Sequence, residues 1–409
     1  MVGVVDPERL ALLADPKVPA LAVMLGSDVL ELLNAALDPV GGRCESAHTS
    51  QVRYVPSKAV TAQYEARVKW DDGATTTETF VTTSGVPVPE STPVLEADDV
   101  SIAIWRFPND PFLPGLAAAT DPERVRRLLA RLGAPADKAR LRRRAYRPGR
   151  RAVIEAVTPR ARIFVKVVRP DRVAALQETH SSMSGHVPVP HSYGWSEDLG
   201  LVALQAMPGK TLRKALEGGT RRLPTGPQFI NLLASLPEPG TLASRIPGPI
   251  DQAPTHAKLL KAVTPELADR IDGVIEALSS VAEEPPVPVH GDFHSSQVMV
   301  KGSDIIGLLD VDTTGVGERA NDLAGLIGHL STLSLTSPVR RMIGRYGADL
   351  IAEFDRDTDP MSLRLRTAAV ALGLATGPFR VQEPNWPAET ERRIALAEQW
   401  IESASAIAG

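Results

Sequence analysis

The 409-residue chain changes its hydrophobic period about halfway along, and that change restricts its fold more than any other feature. Residues 51–83 carry two alternating, β-branched runs on either side of Asp71-Asp72-Gly73, the composition of a tight hairpin turn. SIAIWRFP adds a strand, and from Arg142 the segments AYRPGRRAVIEAV and ARIFVKVV, joined by Thr158-Pro159-Arg160, predict a second antiparallel group. Helical spacing appears early in LALLA, in DVLELLNAAL with Ser27 and Asp28 as N-cap candidates, and in DPERVRRLLARLG ending at Gly133. After Lys210 it dominates, interrupted only by PVPVHGDFHSSQVMV and DIIGLLDVD. Strands first and helices afterwards imply an α+β, bilobal fold rather than an alternating α/β sheet.

The two strand groups share a local pattern. Tyr54-Val55-Pro56-Ser57-Lys58-Ala59-Val60 aligns with Tyr146-Arg147-Pro148-Gly149-Arg150-Arg151-Ala152-Val153 once one inserted residue is allowed. Either a strand–turn–strand unit is duplicated, or Tyr-x-Pro with a basic turn recurs by chance.

Composition excludes several classes. Lys+Arg 45 against Asp+Glu 49 gives a net charge of −4, which argues against a nucleic-acid backbone as partner. The one cysteine, Cys44, forms no intramolecular disulfide and supports no cysteine-rich metal site. The opening residues lack the pattern of a secretory signal and no apolar run reaches membrane length, so the expectation is a soluble, cytoplasmic protein that binds no membrane.

The chemistry concentrates in Val289-His290-Gly291-Asp292-Phe293-His294-Ser295-Ser296-Gln297 and in the strand that runs to Asp310-Val311-Asp312. A carboxylate in a loop, an amide five residues on, and carboxylates closing an apolar strand suit phosphoryl transfer. One carboxylate orients an attacking hydroxyl; an amide oxygen and a second carboxylate hold Mg²⁺ against triphosphate oxygens. Upstream, Lys166 stands in an apolar strand, where an anion such as an ATP phosphate is the natural partner.

On these residues the chain resembles the aminoglycoside phosphotransferase and choline kinase-like superfamily, whose protein-kinase-like fold carries HGDxxxxN followed by a strand ending in Asp. The resemblance implies Asp292 as catalytic base, Gln297 and Asp310 as metal ligands with Gln297 replacing the usual Asn, and Lys166 as phosphate anchor paired with Glu178. It also implies a nucleotide loop at Arg147-Pro148-Gly149-Arg150-Arg151, and a hinge at Leu204-Gln205-Ala206-Met207 where adenine meets the chain. Asp322 is expected to organise a loop. HGDxHxxQ is similar to the maltokinase and actinobacterial glucosamine kinase branch, which implies an acceptor site drawing on Asp292, His294, Asp312, Arg380, Gln382 and Trp386, the last stacking on a sugar ring. The implied organisation is a cap at 1–110, a nucleotide-anchoring lobe at 111–207 and a helical lobe at 208–409. The implied activity is transfer of the γ-phosphoryl of ATP, with Mg²⁺, to a hydroxyl of a sugar or amino sugar. An aminoglycoside or other small-alcohol phosphotransferase and a nucleotide-binding pseudokinase are the alternatives. His180, His186, His191, His256 and His329 show no metal-ligand spacing and read as ordinary.

Overall fold

The computed structural model describes residues 13–97, 100–238 and 245–408, so most of the LALLA segment lies outside the described residues. The chain divides into two compact units. The first comprises residues 1–174, 193–204 and 378–386; the second comprises 175–192, 205–377 and 387–409.

The first unit contains two five-stranded sheets with the same strand order. Strands β1 (Gly42–Val55), β2 (Ala59–Trp70), β3 (Thr75–Ser84), β4 (Val94–Ala97) and β5 (Val100–Arg106) lie in the order β1-β2-β3-β5-β4. Strands β6 (Arg140–Arg147), β7 (Arg151–Val157), β8 (Arg162–Val168), β9 (Ser192–Ser196) and β10 (Leu201–Gln205) lie in the order β6-β7-β8-β10-β9. Each sheet follows two helices, Ala20–Leu25 and Val29–Leu37 in one case and Leu116–Ala119 and Pro122–Arg131 in the other. The helix Pro170–Ser184 between β8 and β9 has no counterpart between β3 and β4.

The resemblance extends to one side-chain brace. Asp110 accepts hydrogen bonds from the Tyr146 hydroxyl at 2.8 Å, the Gly149 amide at 2.8 Å and the Phe112 amide at 2.9 Å. Asp15 accepts from the Tyr54 hydroxyl at 2.7 Å, the Ser57 amide at 2.6 Å and the Lys17 amide at 3.0 Å. Ser57 and Gly149 occupy the same turn position with φ of 64° and 65°. No inserted residue is needed, because Tyr54 pairs with Val60 and Val55 with Ala59 as Tyr146 pairs with Ala152 and Arg147 with Arg151. The unit is built twice.

The hairpin at Asp71-Asp72-Gly73 joins β2 to β3, with Lys69 opposite Thr75. The helix Pro122–Arg131 is capped by the Asp121 carboxylate, which accepts from the Arg124 amide at 2.8 Å. The expected cap before Val29–Leu37 is not made, because Asp28 itself has helical dihedrals and its carboxylate takes the Ser27 hydroxyl instead. Apolar side chains from both sheets, among them Val81, Trp105, Tyr146, Ile154 and Val167, form one buried cluster with Leu113 of the segment between them.

The second unit is mostly helical. A small sheet of β11 (Lys210–Thr211), β13 (Val298–Lys301) and β14 (Asp304–Leu308) and a two-stranded pair, β12 (Val287–Val289) with β15 (Gly315–Gly317), hold the loop that contains Asp292. One core packs Phe229, Phe293, Leu323, Ile327 and Phe354; another packs Leu260, Ile271, Leu372 and Ile394. Among the described residues no helix is long and apolar enough to cross a membrane.

Candidate active site

The His290-Gly291-Asp292 loop is fixed from beneath by a carboxylate. Asp322, buried in the helix Arg319–Thr336, accepts the amides of His290 at 2.6 Å and Gly291 at 3.0 Å, the organising role expected for it. Gly291 has a φ of 78°, and a Cβ there would lie 2.5 Å from the Thr313 carbonyl oxygen, so the turn requires glycine. The fully buried His290 ring accepts the Asp292 amide at Nδ1, 3.3 Å away, and Nε2 lies 2.9 Å from the Leu309 carbonyl oxygen. The ring is a strut between the loop and the end of β14.

This loop leaves the Asp292 carboxylate 44% exposed, with His294 Nε2 3.7 Å from its Oδ1. His294 stacks on His329, the ring centroids 4.2 Å apart with planes at 16°. Burial holds the His294 ring below the usual imidazole range despite the attraction of Asp292. His329 is pushed down to about 3, chiefly by burial and then by His294 and Arg213. The carboxylate therefore has beside it an imidazole whose charged form is disfavoured, backed by a second one.

Gln297 places its amide 3.3 Å from His294 Nε2, and its backbone carbonyl accepts the Leu309 amide at 2.8 Å. The Ser296 amide lies 3.2 Å from His294 Nδ1 on the other edge of the ring. Asp310 follows β14 in a left-handed conformation, φ 54° and ψ 46°, and Asp312 lies in the short turn after it. Gln297 and Asp310 together offer hard oxygen donors, which suits Mg²⁺; among the described residues no cluster of three or more His, Cys, Asp or Glu side chains could hold a metal.

Asp292 also borders a cavity of about 240 Å³ that the sequence did not reveal. Gln252 and His256 from the helix Pro249–Val263, Asn321, Gly325 and His329 from Arg319–Thr336, and Gly373 from Pro360–Ala375 line it. His256 and His329, which show no metal-ligand spacing in the sequence, both line this cavity. Their signal was the helical spacing of Gln252 with His256, and of Asp322 and Gly325 with His329. The only carboxylates in the lining are Asp292 and the loop-bound Asp322. Asn321 is oriented by the buried Arg366, which donates to its Oδ1 at 2.6 Å.

The remaining sequence candidates divide. Lys166 is 6% exposed in β8, opposite Val153. Glu178 is exposed on its helix and forms no ion pair among the described residues. The Gly149 amide is engaged by Asp110 and its carbonyl oxygen accepts from Arg169 at 2.8 Å, so this glycine shapes the turn rather than donating to phosphate. Gln205 closes β10, exposed, with its amide donating to the His191 carbonyl at 2.8 Å, and Met207 packs against Gly307. Trp386 is 6% exposed and meets Phe379 edge to face at 5.1 Å, so it fills the packing instead of presenting a face to a sugar. Gln382 turns its side-chain amide onto the Phe379 carbonyl. Arg380 is exposed and lines a separate cavity with Arg53, Arg147 and Arg150.

Comparison with known proteins places this site in a family. No curated protein matches the chain. Among solved structures, a thermostable mutant of aminoglycoside phosphotransferase APH(4)-Ia in ternary complex with ADP and hygromycin B is 13% identical, covering 68% of this chain and 97% of that one at a TM-score of 0.47. A choline/ethanolamine kinase family protein from Mesorhizobium loti is 14% identical, covering 70% and 93% at 0.44. Aminoglycoside-3'-phosphotransferase of type VIII is 17% identical, covering 61% and 97% at 0.43. Residues 77–359, a span that contains Lys166, the Asp292 loop and Asp310, match the model of the APH phosphotransferase enzyme family, and this α+β chain belongs to that family.

Proposed function

We propose that this phosphotransferase moves the γ-phosphoryl group of ATP to a hydroxyl of a sugar or amino sugar. The observation that carries the acceptor class is the lining of the cavity beside Asp292. It offers amides and imidazoles, Gln252, Asn321, His256 and His329, with no carboxylate except Asp292 and the loop-bound Asp322. A polycationic aminoglycoside calls for several carboxylates, whereas a neutral or singly charged sugar calls for hydrogen-bonding groups.

In this reading Asp292 orients the acceptor hydroxyl and takes its proton as the oxygen–phosphorus bond forms. The bond from the γ-phosphorus to the bridging oxygen breaks and ADP leaves. Lys166, buried on β8, supplies positive charge to the triphosphate. Gln297 and Asp310 would hold Mg²⁺, which neutralises charge on the phosphate oxygens when bound. His294, neutral and 3.7 Å from Asp292, serves as a hydrogen-bonding group toward the acceptor.

The test is release of ADP with Mg·ATP across sugars, amino sugars and aminoglycosides, repeated with Asp292→Asn. A sugar or amino sugar should turn over. The variant should lose roughly 10²–10⁴-fold in kcat with its melting temperature and nucleotide affinity retained. Turnover confined to aminoglycosides would overturn the acceptor class, and a variant within tenfold of the parent would remove Asp292 from the base role.

A further inference from the structure

The duplicated architecture of the first unit places a second cavity on its first sheet. Because Tyr54 corresponds to Tyr146, Arg53, Thr61 and Gln63 correspond to Ala145, Val153 and Glu155. Thr61 pairs with Thr83 as Val153 pairs with Lys166. The strand position that carries the buried lysine in the second sheet thus carries Thr83 in the first, its hydroxyl 2.8 Å from that of Thr61. Cross-strand partners share a face, so Thr61 and Thr83 mark the face equivalent to that of Lys166.

That face is polar. Gln51, Arg53, Thr61 and Gln63 form the wall of a cavity of about 190 Å³, closed by Arg147, Pro148 and Arg150 of the β6–β7 turn and by Arg380. Among the described residues four guanidinium groups line it and no carboxylate does. Arg53, Arg150 and Arg380 have no ion pair among the described residues. Arg150 is held below its ordinary value, first by burial and then by the charges of Arg53, Arg151, Arg169 and Arg380. Gln63, 8% exposed, keeps its Oε1 without a partner while its Nε2 donates to Ser50. Arg53, Arg150 and Arg380, gathered with no ion pair of their own among the described residues, repel one another, and a polyanion relieves that repulsion while accepting the forked donors of several arginines.

We propose that this cavity binds the phosphoryl group of a small phosphate ester, at a site separate from the one that holds the transferred phosphate. Its volume suits a small molecule rather than a macromolecule, and arginine geometry matches phosphate oxygens. The site goes beyond the reading of phosphoryl transfer and is read by binding alone, so failure of either leaves the other standing.

The experiment is calorimetric titration of the full chain carrying Asp292→Asn, which suppresses turnover, with glucose 6-phosphate, ADP and inorganic phosphate as probes. Arg53→Ala, Arg53→Lys and Lys166→Ala are added one at a time. Arg53 is exposed and unpaired among the described residues, so its variants should melt with the parent. Saturable binding of at least one probe should weaken roughly tenfold or more in Arg53→Ala, recover in part in Arg53→Lys, and persist in Lys166→Ala. The probe that behaves so names the source: the sugar phosphate an ester, ADP a nucleotide, inorganic phosphate the free ion. Binding indifferent to Arg53, binding lost only with Lys166, or no saturable binding of any probe would each overturn the proposal.

Discussion

At the scale of single residues, burial decides more than residue type. His294 and His329 are a stacked pair of imidazoles that both sit below the ordinary range, and His329 at about 3 against an ordinary 6.5 has a consequence for acid stability. Between those two values the unfolded chain binds a proton at this position that the folded chain refuses. The stabilisation is therefore complete above the unfolded value and is lost as pH falls. His329→Gln should flatten the acid limb, losing about 2 kcal/mol less than the parent between pH 7 and pH 5, read from urea midpoints at each pH. A parallel loss in both proteins would mean the ring is protonated in the fold. Gln297 carries a second expectation at this scale. If its amide oxygen is a ligand, Gln297→Leu should raise the Mg²⁺ concentration needed for half-maximal rate and depress kcat. Gln297→Asn should do so more mildly, and Asp310→Asn more severely through lost charge. Wild-type metal dependence in Gln297→Leu would make the glutamine a partner of His294 alone.

At the scale of elements, the two braces make an internal comparison. Asp15 and Asp110 accept the same three hydrogen bonds, but Asp110 is 4% exposed while Asp15 is partly open to solvent. Removing a carboxylate from a buried brace strands its donors, and water cannot replace it. Asp110→Ala should cost about 3 kcal/mol or more and Asp15→Ala about 1 kcal/mol, measured as loss of folding stability in urea. Equal losses would show that burial does not separate the two turns. The short turn sequences hinted at this duplication, but its main evidence was hidden. Each aspartate precedes its tyrosine by more than thirty residues, Asp110 and Tyr146 being 36 positions apart, and strand order is not written in any local pattern.

At the scale of the whole molecule, the first sheet supports the second. Val81 and Trp105 share a buried cluster with Leu113 and Tyr146, and the Trp105 indole donates to the Tyr146 hydroxyl at 3.0 Å. A chain begun at residue 108 would bare that apolar surface and should aggregate or melt well below the full chain, as read by size-exclusion chromatography and a thermal scan. A soluble monomer with the parent's melting temperature would refute that dependence. The sequence by itself determined the order of strands and helices and the make-up of the Asp292 loop motif. Both rest on interactions a few residues apart: hydrophobic period, turn glycines, and a motif whose carboxylate and amide stand five positions from each other. Only the tertiary structure decided that His256, Asn321 and His329 line the Asp292 cavity, that Trp386 is packing, and that Arg380 joins Arg53 and Arg150 around a second one. Those neighbours come from elements hundreds of residues apart in some cases, as Arg53 and Arg380 are, and it is core packing and sheet order, not local pattern, that bring such side chains to one wall.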